Sequence, residues 1–403
     1  MQYPQRFSDL PEYAFPRLRA LLGDTPPGGD LISMSIGEPT HPLPPIVAEE
    51  LARHTHLYGK YPANDGIPDL REAIAAWLGQ RYGLTVDPAT NILPLNGTRE
   101  GLFNACLALC PEEKTGARPV VLLPNPFYQC YAVAALAAGA EPIYVPADAS
   151  TDYLPNFEAV PADLLERTAI IYMCSPSNPQ GAVASAVYWR DLIGLAERLD
   201  TRIFADECYS EIYRDTPPAG ALEVAHQMGA DPERVMIFHS LSKRSNLPGL
   251  RSGFLAGGPK SVAACKQLRN YAGAPMPLPT QHAAAAVWHD EAHVVANRAL
   301  YTEKFDAADR LLADWPGYRH AQAGFFQWLP VADDEGFARA VWAEHGVHLL
   351  PGRYLARDTQ ARIGTGNPGA GHIRVALVAA LPQVERGLTA LTATLQTHPE
   401  LTP

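Results

Sequence analysis

Lys243 lies directly after an apolar run and beside small hydroxyl side chains, in the sequence Ser240-Leu241-Ser242-Lys243, and Arg251 follows eight positions later. A lysine amine can form a Schiff base with an aldehyde, while hydroxyl and guanidinium groups donate hydrogen bonds to a phosphate. Pyridoxal phosphate carries both an aldehyde and a phosphate. The spacing therefore predicts a site for that cofactor, with Lys243 as its covalent partner and Ser240, Ser242 and Arg251 as phosphate donors.

A second segment supplies an acid. Residues 203–206 are typical of a short buried strand that ends in Asp206, and Tyr209 follows three residues later. A carboxylate at this point can keep the pyridine nitrogen of the cofactor protonated, so that the ring draws electrons from a substrate carbanion. We expect Asp206 to be this partner and Tyr209 to donate to the ring oxygen. An isolated aspartate at a strand end is more often a turn or helix-cap residue.

Two loops add donors. Asn178-Pro179-Gln180-Gly181 is a turn signal in its own right, and the Asn178 amide is a candidate donor to the phenolic oxygen of the cofactor. Gly97-Thr98-Arg99 precedes an Ala- and Leu-rich helical stretch. Small residues at the start of a helix leave backbone N–H groups free for a phosphate. Judged alone, Thr98 fits an ordinary helix cap equally well.

Together these segments resemble the class I and II aminotransferases of the aspartate aminotransferase fold type. The resemblance covers nearly the whole chain, with six motifs in the order of the family. They are Ser35-Ile36-Gly37-Glu38-Pro39, Tyr61-Pro62-Ala63-Asn64-Asp65-Gly66 with Leu70-Arg71, Asn178-Pro179-Gln180-Gly181, Asp206 to Tyr209, Ser240 to Lys243, and His372-Ile373-Arg374-Val375. The family implies a fold type I architecture and a transamination of amino and 2-oxo acids.

The resemblance also implies roles that the residues alone do not suggest. Tyr128, after the turn Asn125-Pro126-Phe127, takes the position of the aromatic ring that stacks on the cofactor. Arg374 matches the arginine that binds the substrate α-carboxylate, with Gly37 and Asn178 beside it. Tyr61 is assigned to the cofactor phosphate of the neighbouring subunit. The family resemblance therefore implies a homodimer whose two sites share residues.

A closer resemblance is to the N-succinyldiaminopimelate aminotransferase subgroup. It rests on segments 93–100, 124–129, 240–254 and 350–357, above all on the Arg-Ser-Asn-x-Pro-Gly that follows Lys243. This subgroup exchanges amino groups between glutamate and the N-succinylated 2-amino-6-oxopimelate. Two segments depart from its pattern, 323–328 and 273–277, and both are candidates for the side-chain pocket.

Other activities fit the same residues. A transamination of aspartate or of an aromatic amino acid, or a β-elimination, would use the same carbanion chemistry. The string Gly364-Thr365-Gly366-Asn367-Pro368-Gly369 fits the G-x-G-x-x-G pattern of dinucleotide-binding folds, but a strand-like run follows it where that fold needs a helix. An effector-sensing transcription regulator would need an attached DNA-binding domain, for which the chain before residue 35 leaves no room.

Short apolar runs at 120–123, 143–145, 169–174, 202–205, 235–238 and 253–256, mostly separated by helical stretches, predict an α/β fold with a mostly parallel sheet. At 403 residues, two domains are expected. We predict a large cofactor-binding domain over 46–290 and a smaller α+β domain from 1–45 and 291–403. We expect the chain to pass from the small to the large domain at Pro39 to Pro45. It should return along a helical stretch over 281–315, which no proline or glycine interrupts.

Composition and charge indicate which partners and which compartment to expect. The net charge of −11 gives no basic surface for nucleic acid or an anionic membrane. The six cysteines show no C-x-x-C spacing for a metal site and indicate a reducing compartment. The N-terminus lacks the pattern of a leader peptide, and no apolar run is long enough to span a bilayer. These features predict a cytoplasmic enzyme whose partners are small substrates and a second copy of itself.

Overall fold

The computed structural model of the protein describes residues 5–403, so the first four residues of the predicted small domain lie outside it. The α-helices are α1 (Ala14–Leu22), α2 (Ile46–His54), α3 (Pro68–Tyr82), α4 (Thr98–Leu109), α5 (Gln129–Ala137), α6 (Ala162–Glu166), α7 (Ala186–Arg198), α8 (Ala221–Met228), α9 (Leu241–Arg244), α10 (Pro259–Ala272), α11 (Leu278–His289), α12 (Ala292–Leu311), α13 (Asp334–His345) and α14 (Leu381–Thr397). The strands are β1 (Ile32–Ser33), β2 (Ile92–Leu95), β3 (Val120–Asn125), β4 (Glu141–Pro146), β5 (Thr168–Cys174), β6 (Arg202–Asp206), β7 (Val235–Ser240), β8 (Gly253–Ala256), β9 (Phe326–Pro330), β10 (Val347–His348), β11 (Leu350–Pro351) and β12 (His372–Ala376).

The central element is a seven-stranded sheet with the order β2-β8-β7-β6-β5-β3-β4. Strands β3 to β7 pair in parallel, as the helix-separated apolar runs predict. All six predicted strands are present, and the predicted α/β class with a mostly parallel sheet is confirmed. Because parallel strands end at the same edge of a sheet, residues that follow β5, β6 and β7 come together there.

Alternate residues of these strands enter different hydrophobic cores. On β6, Ile203 and Ala205 belong to one cluster, whereas Phe204 between them belongs to another. Successive side chains of a strand point to opposite faces, so the two clusters lie on the two faces of the sheet. Burial on both faces explains why the strands read as continuous apolar runs.

The sixth predicted strand runs against the others. β8 is antiparallel to β7, with Ser240 paired to Gly253, and it is also antiparallel to β2. The connection from β7 to β8 contains only α9 and a 3-10 turn, Pro248–Leu250. A parallel return needs a full crossover helix, and this segment is too short to supply one.

The helical stretch predicted over residues 281–315 is two helices, which corrects the expectation of an uninterrupted helix. α11 ends at His289 and α12 starts at Ala292. The break comes at Asp290, whose Oδ1 accepts a hydrogen bond of 2.9 Å from the backbone N–H of Ala292. A side-chain acceptor that satisfies the first N–H groups of a helix favours a new start at this point.

A second, smaller region contains an antiparallel sheet of order β11-β12-β9 and a two-stranded parallel sheet of β1 and β10. Its hydrophobic cluster includes Ile32 and Met34 from the start of the chain with Phe337 and Leu388 from the end. Segments from both ends of the chain thus pack together, while the division at 46–290 stays a prediction. Within residues 5–403, every helix is too short or too polar to cross a membrane.

Candidate active site

A cavity of about 310 Å³ lies at the carboxyl ends of β5, β6 and β7. Twelve of the fourteen residues that the sequence singles out line it. They are Gly37, Thr98, Arg99, Tyr128, Asn178, Asp206, Tyr209, Ser240, Ser242, Lys243, Arg251 and Arg374. These residues span more than 300 positions of the sequence, so the fold alone brings them together.

Lys243 lies on the short helix α9, which Ser240 caps: the Ser240 Oγ accepts a hydrogen bond of 3.0 Å from the Ser242 N–H. The Lys243 Nζ donates to the carbonyl oxygen of Gly37. Burial lowers the pKa of Lys243 to about 8, because desolvation disfavours the charged amine. A larger neutral fraction at neutral pH suits an amine that must act as a nucleophile.

A group of donors surrounds Arg251. A Cβ atom on Gly97 would overlap the Arg251 guanidinium, and Gly97 has a φ of 79°, which also favours glycine. The Ser240 Oγ donates to the Ser242 Oγ at 2.8 Å and lies 3.2 Å from the carbonyl oxygen of Ser252, next to Arg251. The N-cap residue of α4 is Gly97, which has no side chain to cap the first N–H groups of the helix. This set offers backbone, hydroxyl and guanidinium donors to one phosphate.

Asp206 is buried beside these donors. Its Oδ2 accepts a hydrogen bond of 2.6 Å from the Tyr131 hydroxyl, and its Oδ1 accepts one of 3.3 Å from the Cys208 N–H. Burial raises the pKa of Asp206. Among the described residues it forms no ion pair with a cationic side chain. A protonated ring nitrogen is therefore the kind of partner that its burial requires.

Tyr128 forms an aromatic wall of the cavity. Its hydroxyl accepts a hydrogen bond of 2.5 Å from the Arg99 Nε, and its ring packs edge-on against Tyr131 at 5.6 Å. Burial raises the pKa of Tyr128 to about 12, so the phenol stays neutral. A ring held in this way can stack on a flat cofactor.

Arg374 is buried opposite the lysine. Its Nη1 donates to the Asn178 Oδ1 at 3.0 Å and its Nη2 to the Ser35 carbonyl oxygen at 2.5 Å. Within residues 5–403 no carboxylate pairs with Arg374, and its Nε has no hydrogen-bond partner. Burial lowers the pKa of Arg374 to about 10, which still leaves it charged at neutral pH. A buried, charged guanidinium of this kind is suited to a substrate carboxylate.

Tyr209 and Tyr61 differ sharply in their surroundings. Tyr209 is buried, packs edge-on against Phe325 and Phe326, and has a pKa that burial raises well above the usual value. Tyr61 is fully exposed and does not line the cavity of its own chain. Gly97, the other predicted residue that does not line the cavity, packs closely against the Arg251 guanidinium.

Several lining residues were not predicted from the sequence. Tyr131, Cys208 and Tyr13 all line the cavity. Tyr131 lies in the first turn of α5, and its role depends on the contact with Asp206, which the fold alone provides. Tyr13 had no signal, because nothing in the sequence near it places the N-terminal segment over this edge of the sheet.

Two expectations about the side-chain pocket are resolved differently. Phe326 from segment 323–328 lines the cavity, whereas none of residues 273–277 does.

Two arginines that lie near the motif segments, Arg17 and Arg353, are already paired with acidic side chains. Arg17 pairs with Glu12 at 3.3 Å and Arg353 pairs with the buried Asp334 at 2.5 Å.

The residues present fit pyridoxal phosphate. The cavity offers a nucleophilic amine at Lys243, phosphate donors around Arg251, a buried carboxylate without a cationic partner at Asp206, and an aromatic wall at Tyr128. Each feature meets one chemical group of that cofactor. An α/β sheet with this set at the carboxyl ends of its strands defines an enzyme of the pyridoxal-phosphate type.

Comparison with known proteins gives the family. A family model described as aminotransferase class I and II matches residues 29–385. The LL-diaminopimelate aminotransferase of Dehalococcoides mccartyi is 30% identical over 403 aligned residues, which cover 97% of this chain and 98% of that protein. An aminotransferase structure from Neisseria meningitidis has a TM-score of 0.91 and 38% identity, and the match covers 96% of this chain and 99% of the other.

A structure of a probable N-succinyldiaminopimelate aminotransferase from Thermus thermophilus has a TM-score of 0.81 and 26% identity, with 95% of this chain and 98% of the other covered. The chain belongs to the class I and II aminotransferases. It is a pyridoxal-phosphate-dependent aminotransferase, as the sequence motifs predict.

Proposed function

We propose that the enzyme transfers the amino group of glutamate to N-succinyl-2-amino-6-oxopimelate by ping-pong transamination, giving 2-oxoglutarate and N-succinyl-LL-2,6-diaminopimelate. The subgroup resemblance around Lys243 and the Thermus thermophilus structure support this substrate. Both proposed substrates carry at least one further carboxylate away from the reacting carbon: glutamate has one and the succinylated acceptor has two. The cavity should therefore contain a cation besides the one that binds the α-carboxylate.

One observation carries the proposal: the charges that line the cavity. Among the described residues, four cationic side chains line it, Arg99, Lys243, Arg251 and Arg374, against the single acid Asp206. In our assignment Arg251 meets the cofactor phosphate, Arg374 the α-carboxylate, and Lys243 the aldehyde. Arg99 is then the one cationic side chain of the described lining to which no group of the cofactor or the α-carboxylate is assigned. It is exposed and has no carboxylate partner in the described part of the chain, so it is free to bind the distal carboxylate.

The roles of the chain's own groups follow from their positions. When bound, pyridoxal phosphate supplies an electron-withdrawing ring that stabilises negative charge on the substrate α-carbon. Arg374 and Asn178 orient the substrate through its α-carboxylate. The Lys243 Nζ, with its lowered pKa, would take the α-proton of the amino donor and pass it to the cofactor carbon that held the aldehyde; in the second half-reaction it would move a proton in the opposite direction. Asp206, oriented by Tyr131, holds the proton of the ring nitrogen.

A second candidate substrate is LL-diaminopimelate without the succinyl group. The names of the curated relatives, LL-diaminopimelate aminotransferases at 30–32% identity, favour it. It also carries a distal carboxylate and would use Arg99 in the same way. The two candidates differ at the distal nitrogen, which is a free ammonium in LL-diaminopimelate and carries the succinyl amide with its own carboxylate in the other substrate. A substrate comparison must separate them.

We further propose a homodimer with shared sites. Tyr61 is fully exposed, and Tyr271 is 85% exposed. The two lie on neighbouring surfaces, because Asn64 donates a hydrogen bond of 2.8 Å to Asn270. Exposed aromatic side chains grouped in this way favour a protein–protein contact. Tyr61 would then reach the cofactor phosphate of the partner subunit.

The test is a substrate panel. The values of kcat/KM are measured with glutamate against the succinylated oxo acid, oxaloacetate and an aromatic oxo acid, and with LL-diaminopimelate against 2-oxoglutarate. We expect the succinylated substrate to give the highest value. An equal or higher value with oxaloacetate would overturn the assignment, and a higher value with LL-diaminopimelate would favour the second candidate. β-Elimination is tested separately with serine, whose β-hydroxyl can leave: release of ammonia and pyruvate without an acceptor would indicate that reaction.

Arg99→Gln tests the charge assignment in the same panel. Loss of a charge pair at this exposed position should lower kcat/KM for dicarboxylic substrates by about fivefold. A monocarboxylic donor such as alanine should be affected by less than about 1.5-fold. Arg362→Gln is the matched control, because Arg362 pairs with Asp163 on the surface. Equal losses for both classes of donor would contradict the role of Arg99.

A further inference from the structure

A buried chain of hydrogen bonds runs from the segment after Lys243 to the first crossing between the two regions. The Asn246 Nδ2 donates to the Asn297 Oδ1 at 3.0 Å, and the Asn297 Nδ2 donates to the Arg244 carbonyl oxygen at 3.3 Å. His41 Nδ1 lies 2.6 Å from the same Asn297 Oδ1, and its Nε2 lies 2.6 Å from the Lys304 Nζ. The four residues other than His41 are almost completely buried.

The hydrogen-bond partners fix the tautomer of His41. The Asn297 Oδ1 can only accept, so the His41 Nδ1 must carry the proton that Asn297 receives, and the Nε2 of the neutral ring then accepts from the Lys304 Nζ. Burial lowers the pKa of His41, which agrees with a neutral ring. Lys304 also contacts the Val378 carbonyl oxygen at 3.3 Å, and no carboxylate pairs with it in the described part of the chain.

The segment that carries His41 also forms one wall of the active site. Its Ser35 carbonyl oxygen accepts from Arg374, and its Gly37 carbonyl oxygen accepts from Lys243. The bond to Gly37 must break whenever the Lys243 Nζ becomes bonded to the cofactor. At such moments the wall loses one of its two links to the catalytic groups. The bonds of His41 to Asn297 and Lys304 are unaffected by that exchange.

We propose that His41, Asn297 and Lys304 form a latch that holds segment 35–41 in place while Lys243 alternates between the cofactor and the Gly37 carbonyl oxygen. His41 is a positioning residue: it acts on substrate binding through Ser35 and Gly37 and touches no reacting atom. The inference rests on the proposed roles of Lys243 and Arg374 but not on the identity of the amino acceptor.

The test compares His41→Gln with His41→Leu. A glutamine amide can donate to Asn297 and accept from Lys304, whereas leucine can do neither. We expect His41→Leu, which loses both hydrogen bonds, to raise the KM for glutamate by about tenfold, with kcat changed less than about threefold. His41→Gln should restore the wild-type KM. A merely structural role would not produce this split or its rescue.

A second readout needs no cofactor. In the apoprotein, the N–H groups of Ser245 and Leu247 both donate to the Leu241 carbonyl oxygen. Their hydrogen exchange should be faster in His41→Leu and unchanged in His41→Gln. Tyr188→Phe is the control, because it removes a buried hydroxyl that donates to Pro155 at 2.7 Å, away from the latch. If His41→Leu does not fold, His41→Asn, too short to bridge both partners, replaces it.

A wild-type KM and wild-type exchange in His41→Leu or His41→Asn would overturn the latch. So would a His41→Gln enzyme as impaired as the leucine variant. A wild-type protein that fails to react with glutamate at all would count against the proposed function instead, because that reaction needs Lys243 and Arg374 whatever the latch does.

Discussion

At the scale of the residue, the site is defined by buried charges without partners. Arg374 and Asp206 are both buried, and neither forms an ion pair within residues 5–403. Isolated buried charges are strongly unfavourable, so they persist where a ligand completes them. Arg374 needs an anion and Asp206 a cation, and an amino acid bound to pyridoxal phosphate supplies both. We therefore propose that Arg374 binds the substrate and Asp206 the cofactor ring.

Arg374→Gln tests this at the same scale. The amide still carries a hydrogen-bond donor but lacks the charge that we propose binds the substrate α-carboxylate. We expect kcat/KM for glutamate to fall at least about 30-fold, since truncation of a buried charge pair costs about 2–5 kcal/mol. Affinity for pyridoxal phosphate, measured by titration of the apoprotein, should change little. A parallel loss of cofactor affinity would contradict the assignment.

The sequence predicted most of these residues because each follows a recognisable strand or turn. The roles of Tyr131 and His41 could not be predicted from the sequence. Their roles depend on which partner the fold brings to them, Asp206 in one case and Asn297 with Lys304 in the other. Neither residue type nor spacing carries that information.

At the scale of the element, periodicity predicted the strands well, because a parallel sheet buried on both faces produces continuous apolar runs. It did not predict the direction of β8, which the short connection through α9 decides. The break between α11 and α12 was also missed, because Asp290 and Glu291 are common in helices and only the cap at Ala292 marks the new start.

α12 carries a testable electrostatic feature. Burial lowers the pKa of Lys304 to about 7, well below that of an unfolded lysine. Between the two pKa values the unfolded chain binds a proton that the folded protein does not. The folding stability contributed by this residue must therefore rise with pH above about 7 until the unfolded lysine also titrates.

Lys304→Met should remove that dependence. We expect the variant to gain stability relative to the wild type at about pH 7 and to lose this advantage towards about pH 10. Urea unfolding at several pH values measures the difference. Lys60→Met, at an exposed position, serves as the control and should follow the wild-type profile. A constant difference between Lys304→Met and wild type across this range would contradict the shifted pKa.

At the scale of the whole molecule, the sequence predicted two domains and a homodimer. Both remain predictions, and each rests on different observations. Segments from both ends of the chain do pack into one cluster. The dimer rests on the family resemblance and on the exposure of Tyr61 and Tyr271. Contacts between copies depend on surface shape, which local periodicity does not encode.

Mixed dimers test the shared sites. Lys243→Ala and Tyr61→Phe are each expected to lower activity as pure proteins. If Tyr61 serves the partner subunit, a mixed dimer contains one site with both native residues. Unfolding and refolding the two variants together should then restore up to about a quarter of wild-type activity, because half of the dimers are mixed and each has one intact site. Activity no higher than the average of the two pure variants would place Tyr61 in its own chain or outside the site.

The central claim is that Lys243 bonds covalently to pyridoxal phosphate. Reduction of the purified holoenzyme with borohydride would fix the cofactor to the amine that carries it, and mass spectrometry of the digested protein would locate the label. We predict one modified peptide, containing Lys243, and none in Lys243→Ala. A label on Lys304 or any other lysine, or a protein that takes up no label, would contradict the account.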